Sequence, residues 1–150
     1  VRLTLKKTGK LQLSSLPLDE PTKLPVKVTF SRNKTDRTDE FLYHKTTNRS
    51  LYDHNLAKCR AKGFFDIIYR NQQNEITEGT ISNIIIRAGQ TYFTPPVSCG
   101  LLPGTYRSYL LQKENFPLKE RVLYKEDLLK ADEIFMINSV RKMIPATLAG

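Results

Sequence analysis

Short apolar runs broken by tight turns constrain this chain more than any other feature of its sequence. Phe64-Phe65-Asp66-Ile67-Ile68-Tyr69 is closed by the turn Asn71-Gln72-Gln73-Asn74. Ile84-Ile85-Ile86 is closed by Gly89-Gln90 before Thr91-Tyr92-Phe93-Thr94, and Pro95 and Pro96 end that run. Runs this short, rich in β-branched and aromatic residues and bounded by Gly, Asn or Pro, read as strands. Links this tight join antiparallel neighbours, because parallel neighbours need a longer crossover. The sheet is therefore expected to be mixed and largely antiparallel.

The remaining elements fit around that sheet. Residues 1–13 alternate apolar and polar about a Lys7-Thr8-Gly9-Lys10 turn and predict a β-hairpin. Residues 14–25 carry Pro17, Pro21 and Pro25 and predict an irregular linker. Val26-Lys27-Val28-Thr29-Phe30 alternates as a strand, and the polar residues 31–40 predict an exposed loop. Ser50 followed by Asp53 resembles a capping box opening a helix over 51–62, stopped by Gly63. That helix places Leu51, Asn55 and Cys59 on one face. Pro103 sits in the first turn of a second helix running to about residue 114. Residues 120–124 predict a strand, 125–131 a short helix and 134–139 a last core strand. The pattern is α+β (or α/β), with interleaved helices and one core, a size that 150 residues support.

Composition narrows the function classes. The net charge is +9, but Lys6, Lys7, Lys10, Arg32, Lys34, Arg37, Lys58, Arg60 and Lys62 form no long basic block. A solvated basic surface accounts for them better than a nucleic-acid site. No apolar run is long enough to span a membrane, and the first residues lack a secretory core. Cys59 and Cys99 have no metal-ligand spacing, and His44 and His54 lack further ligands. Reduced thiols in a cytoplasmic protein, with no metal, are expected. The chain starts in mid-strand without an initiator methionine, so it is expected to be part of something longer.

One lysine stands out. In Phe41-Leu42-Tyr43-His44-Lys45-Thr46-Thr47-Asn48-Arg49, Lys45 lies between apolar and polar residues, ahead of the first helix. Burial there would lower its pKa and make it a nucleophile. On composition alone Lys45 is equally a surface lysine. Glu78 is equally a turn carboxylate, Gly104-Thr105-Tyr106 a helix start and Ser139 a strand-end serine.

The register of four motifs goes further. His44-Lys45-Thr46-Thr47-Asn48-Arg49, Glu78-Gly79-Thr80-Ile81-Ser82-Asn83, Leu101-Leu102-Pro103-Gly104-Thr105-Tyr106-Arg107 and Ala131-Asp132-Glu133-Ile134-Phe135-Met136-Ile137-Asn138-Ser139 occur in that order. Together they resemble the large domain of fold-type IV (class IV) pyridoxal-phosphate enzymes. That family includes branched-chain and D-amino-acid aminotransferases and 4-amino-4-deoxychorismate lyase. The resemblance covers about residues 41–146 and implies a pseudo-barrel fold. It implies residues 26–150 as the cofactor-binding domain and residues 1–25 as the tail and linker of a smaller N-terminal domain.

The resemblance also implies roles. Lys45 would join pyridoxal 5'-phosphate as a Schiff base and then serve as the proton-transfer base. Glu78 would pair with the pyridine nitrogen. Arg49, Thr80, Ile81 and Ser82 would line the cofactor, with Asn83 buttressing the loop. Gly104, Thr105, Tyr106 and Ser139 would take its phosphate, and Tyr43 would lie near the site. Asn48-Arg49 resembles the lyase branch, because transaminases more often carry a bulky apolar or tyrosyl residue near Arg49. The implied reaction forms 4-aminobenzoate and pyruvate for folate synthesis, in a homodimer coupled or fused to aminodeoxychorismate synthase. Family members carry an arginine and a threonine in the small domain, so this chain alone is expected to bind cofactor weakly. A class IV aminotransferase and a basic, non-enzymatic binding module remain the alternatives.

Overall fold

The computed structural model describes residues 1–15, 17, 18, 21 and 23–149. Among them are ten strands and three α-helices. The strands are β1 (Arg2–Leu5), β2 (Leu11–Ser14), β3 (Val26–Thr35), β4 (Asp66–Asn71), β5 (Ile76–Gly79), β6 (Asn83–Ala88), β7 (Thr91–Thr94), β8 (Leu118–Glu120), β9 (Glu133–Asn138) and β10 (Lys142–Leu148). The helices are α1 (Ser50–Ala61), α2 (Thr105–Leu111) and α3 (Lys125–Lys130), with 3-10 turns at Glu40–Tyr43 and Val97–Cys99. The fold is α+β, as the strand and turn pattern indicated.

β1 and β2 form their own antiparallel pair, with Leu3 opposite Leu13 and Leu5 opposite Leu11. The other strands form one sheet in the order β5-β4-β3-β10-β9-β6-β7-β8. Three neighbours in it are parallel: β3 with β4, β3 with β10, and β7 with β8. The crossover from β3 to β4 carries α1, and that from β7 to β8 carries α2, as parallel pairing requires.

The sheet must curl. β5 and β6 lie five steps apart in strand order, about 24 Å across a flat sheet. Yet Gly79 N–H donates to the Ser82 carbonyl at 2.7 Å, and the four peptide steps from Gly79 to Asn83 reach at most about 14 Å. One face of the curl packs Val28, Ile68, Ile76, Ile84, Ile86, Leu123, Leu128 and Met136. On the other face Ile85 and Ile137 meet Leu110 of α2 and Leu118. Alternate residues of the isoleucine run thus feed opposite cores, the strand period of two at work.

Several local expectations need correction. Residues 31–35 are not loop; β3 continues through them because β4 offers Arg70 and Asn71 as partners to Lys34 and Thr35. Residues 121–124 are not strand. β8 pairs only with β7, and Thr94 opposite Glu120 is the last β7 residue before Pro95. Pro95 has no N–H to extend the ladder. The second helix stops at Leu111, and the chain then turns so that Phe116 stacks on Tyr92 with ring centroids 4.5 Å apart. The expected capping box of α1 does not form. Arg49 is the N-cap residue, and Asp53 takes its Nε at 2.8 Å instead. The linker reading falls partly on residues 16, 19, 20 and 22, outside the described residues.

Candidate active site

The β5–β6 turn is the centre to which the other motifs are tied. Glu78, at the end of β5, is buried. Its Oε1 accepts from the Tyr52 hydroxyl at 3.1 Å, and its Oε2 from the Leu102 N–H at 3.2 Å. Burial pushes its pKa up to about 8; Leu102, Tyr52 and the positive Arg49 pull it back, and Asp66 adds to the rise. A carboxyl poised there exchanges its proton near neutral pH.

Asp66, the first residue of β4, is fully buried behind the turn. Its Oδ1 accepts the N–H groups of Ile67 at 2.8 Å and Thr80 at 2.9 Å, and also the Thr80 hydroxyl. Oδ2 takes the Ile81 N–H at 3.4 Å. Burial raises the Asp66 pKa against the pull of those donors. The carboxylate supplies a fixed acceptor to a turn that has no ladder partner. Sequence reasoning missed this role, although an acid inside Phe64-Phe65-Asp66-Ile67-Ile68 was a visible signal. A carboxylate in an apolar strand must find donors or stay neutral.

The remaining motifs meet at the same place. Arg49 donates to the Thr80 carbonyl at 2.6 Å, which anchors the lysine segment on the turn. Asn83 Nδ2 donates to the Leu102 carbonyl at 2.9 Å. Gly104 lies so near that a Cβ there would be 2.2 Å from Asn83 Oδ1. Asn138 Nδ2 donates to the Ile81 carbonyl at 3.2 Å. The hydroxyls of Thr105 and Ser139 hydrogen-bond each other, across the start of α2 and the residue after β9.

Other candidates differ in setting. Ser82 Oγ is buried without a hydrogen-bond partner. Ile81 and Tyr106 are half-buried. Thr105 and Ser139 open onto a depression of about 550 Å3, also lined by Tyr106, Tyr109, Lys113 and Lys142. Lys45 and His44 are exposed. The expected burial of Lys45 is not found: the 3-10 turn ends at Tyr43, and residues 44–48 that follow it are all exposed. Tyr43 hydrogen-bonds the Arg37 carbonyl at 2.7 Å and serves its own loop. Sequence reasoning did not single out Tyr52; its contact with Glu78 crosses 26 positions and has no local signature.

Glu78 offers the carboxylate, while Ser82, Thr105 and Ser139 offer hydroxyl donors. No helix among the described residues is long and apolar enough to cross a membrane.

Comparison with known proteins follows the same lines. Residues 3–149 match the family model described as Amino-transferase class IV. A Schizosaccharomyces pombe protein, named provisionally as an aminodeoxychorismate lyase, is 28% identical over 153 residues, covering 99% of this chain and 66% of that protein. The aminodeoxychorismate lyase of Bacillus subtilis is 29% identical over 143 residues, covering 93% of this chain and 46% of that protein. The chain thus spans between about half and two-thirds of these relatives' length. A solved Mesorhizobium loti structure, named provisionally as an amino-acid aminotransferase, aligns with a TM-score of 0.89 at 32% identity, covering 98% of this chain and 71% of that one.

Proposed function

The chain belongs to the class IV aminotransferase family, and from that premise we propose that it is the cofactor-binding part of a pyridoxal-phosphate-dependent 4-amino-4-deoxychorismate lyase. The observation that carries this reading is the convergence of the four motifs on residues 78–83: Arg49 donates to the Thr80 carbonyl, Asn138 to the Ile81 carbonyl, the Leu102 N–H to Glu78, and Asn83 to the Leu102 carbonyl. The donor set supports this reading of the cofactor: the Ser82 hydroxyl is buried without a partner, and Glu78 is a buried carboxyl of the kind a ring nitrogen needs. When bound, pyridoxal phosphate supplies an electron sink for the pair left when a C–H bond breaks.

The chain's own residues divide the work. Glu78 holds the ring nitrogen. Ser82 would line the cofactor, and Thr105, Ser139 and the backbone at Gly104 and Tyr106 would take its phosphate. Arg49 fixes the lysine segment beside Thr80 and Ile81. Lys45 Nζ would hold the cofactor and take the proton from the amine-bearing ring carbon of the substrate. Loss of that proton and of enolpyruvate makes the ring aromatic, giving 4-aminobenzoate and pyruvate.

We assign residues 1–25 to connecting strands and residues 26–150 to the cofactor-binding domain. The buried free thiols of Cys59 and Cys99 support a cytoplasmic setting. A homodimer, a link to aminodeoxychorismate synthase and a place in folate synthesis follow from the family resemblance. The similarity to the Mesorhizobium loti protein, named as an amino-acid aminotransferase, supports a second reading, a class IV aminotransferase, for which the family resemblance implies branched-chain or D-amino acids.

The deciding experiment mixes the chain with pyridoxal phosphate, reduces with borohydride and maps the adduct. An adduct on Lys45 is expected, and one spread over surface lysines overturns the assignment. Formation of 4-aminobenzoate, rather than amino-group transfer to 2-oxoglutarate, then separates lyase from aminotransferase.

A further inference from the structure

Tyr52 belongs to none of the four motifs, yet it carries one of the two hydrogen bonds that hold Glu78. Its hydroxyl donates to Oε1 at 3.1 Å, while Oε2 takes the Leu102 amide at 3.2 Å. The phenol ring is clamped. It packs on the Tyr69 ring with centroids 4.7 Å apart, and the Arg49 guanidinium carbon lies 5.7 Å from its centroid. Tyr69 is itself fully buried, and its hydroxyl accepts from Asn55 at 2.7 Å. A chain of packed and bonded groups therefore fixes the direction of the Tyr52 hydroxyl.

The Leu102 amide can only donate, so Oε2 must be an acceptor. A second donor on Oε1 favours the ionised form of the whole carboxyl. The groups that bear on Glu78 are Tyr52 and Arg49 at the start of α1, Asp66 on β4 and the Leu102 amide; Arg49 assists ionisation and Asp66 opposes it. Tyr52 is the uncharged member of the set, and its hydrogen bond can be removed without changing the ring.

We propose that Tyr52 is a positioning residue that favours the ionised form of Glu78 and holds it turned toward a ring nitrogen. The last step rests on the proposed cofactor; the hold on Glu78 does not. This divides the test in two.

The first measurement needs no cofactor. Glutamate side chains of the 150-residue chain are labelled with 13C at the carboxyl, and Glu78 is assigned by its loss in Glu78→Gln. In Tyr52→Phe the Glu78 titration should move up by about one pH unit, with the circular dichroism spectrum unchanged. An unmoved titration in the folded variant overturns the proposal. If Tyr52→Phe does not fold, 3-fluorotyrosine placed at position 52 keeps the ring and strengthens the donor. The titration should then move down, and a static or rising one overturns the proposal.

The second measurement titrates pyridoxal phosphate by absorbance across pH. Tyr52→Phe should weaken binding about tenfold near neutral pH, with the loss fading at high pH as Glu78 ionises unaided. A loss equal at every pH makes Tyr52 merely structural and overturns its role toward the ring. Failure of the cofactor to bind even the unsubstituted chain overturns the reading on which that role rests, while the carboxyl titration still decides the hold of Tyr52 on Glu78.

Discussion

Gly79 stands so close to Asp66 that a β-carbon on it would lie 2.4 Å from Asp66 Oδ2 and 2.9 Å from Met136 Cε. The Asp66 carboxylate cannot swing aside, because the N–H groups of Ile67 and Thr80 hold its Oδ1 at 2.8 and 2.9 Å. Gly79→Ala should therefore destabilise the fold by about 1–3 kcal/mol, as overpacking does. Urea unfolding should show a lower midpoint at unchanged slope. A midpoint equal to that of the unsubstituted chain would mean the turn yields freely.

The raised pKa of Glu78 makes stability depend on pH. Its carboxyl titrates near 8 when folded, against an ordinary value of 4.5. Between those values the folded state binds more protons than the unfolded one, so stability falls as pH rises. Glu78→Gln has no charge to bury. Its stability relative to the unsubstituted chain should rise from pH 5 to pH 9 by on the order of a few kcal/mol. Thermal melting of both proteins across that range checks this; a constant gap would refute the buried-carboxyl account.

Lys45 separates chemistry from stability. Because it is exposed, Lys45→Ala should change folding stability by no more than roughly 0.5 kcal/mol. It should nevertheless abolish the borohydride-trapped adduct, and so should Lys45→Arg, because a guanidinium stays charged and is no nucleophile. Mass mapping of the reduced, digested protein reads the outcome directly. Undiminished trapping in either variant would move the attachment point to another lysine.

Much of this was legible before folding. The isoleucine run and the Gly89-Gln90 turn gave β6 and β7, and the first thirteen residues gave the β1–β2 hairpin, because alternation and turn residues act over a few positions. The errors arose where distant segments decide. Residues 31–35 look polar and loop-like, yet they lengthen β3 because β4 lies ready to pair. Residues 121–124 look extended, yet the neighbouring strand ends at Thr94, before Pro95, and leaves them no ladder partner. Burial was expected for Lys45, but it lies in the exposed residues 44–48 that follow the 3-10 turn.

Sequence by itself determined most of the strands and helices in their order, though not β5 or β10, which follows the strand read as the last; it also determined the motif register that identifies the family, and Glu78 as the carboxyl to watch. Only the tertiary structure decided that Asp66 clamps the 79–82 turn and that the Tyr52 hydroxyl reaches Glu78. It also decided that burial lifts Glu78 to a pKa of about 8. The physical reason is range. Secondary structure follows from side-chain periods read over a few residues. Protonation depends on how much water is excluded and which donors are brought close, and here those donors come from α1, the segment before α2 and the turn itself.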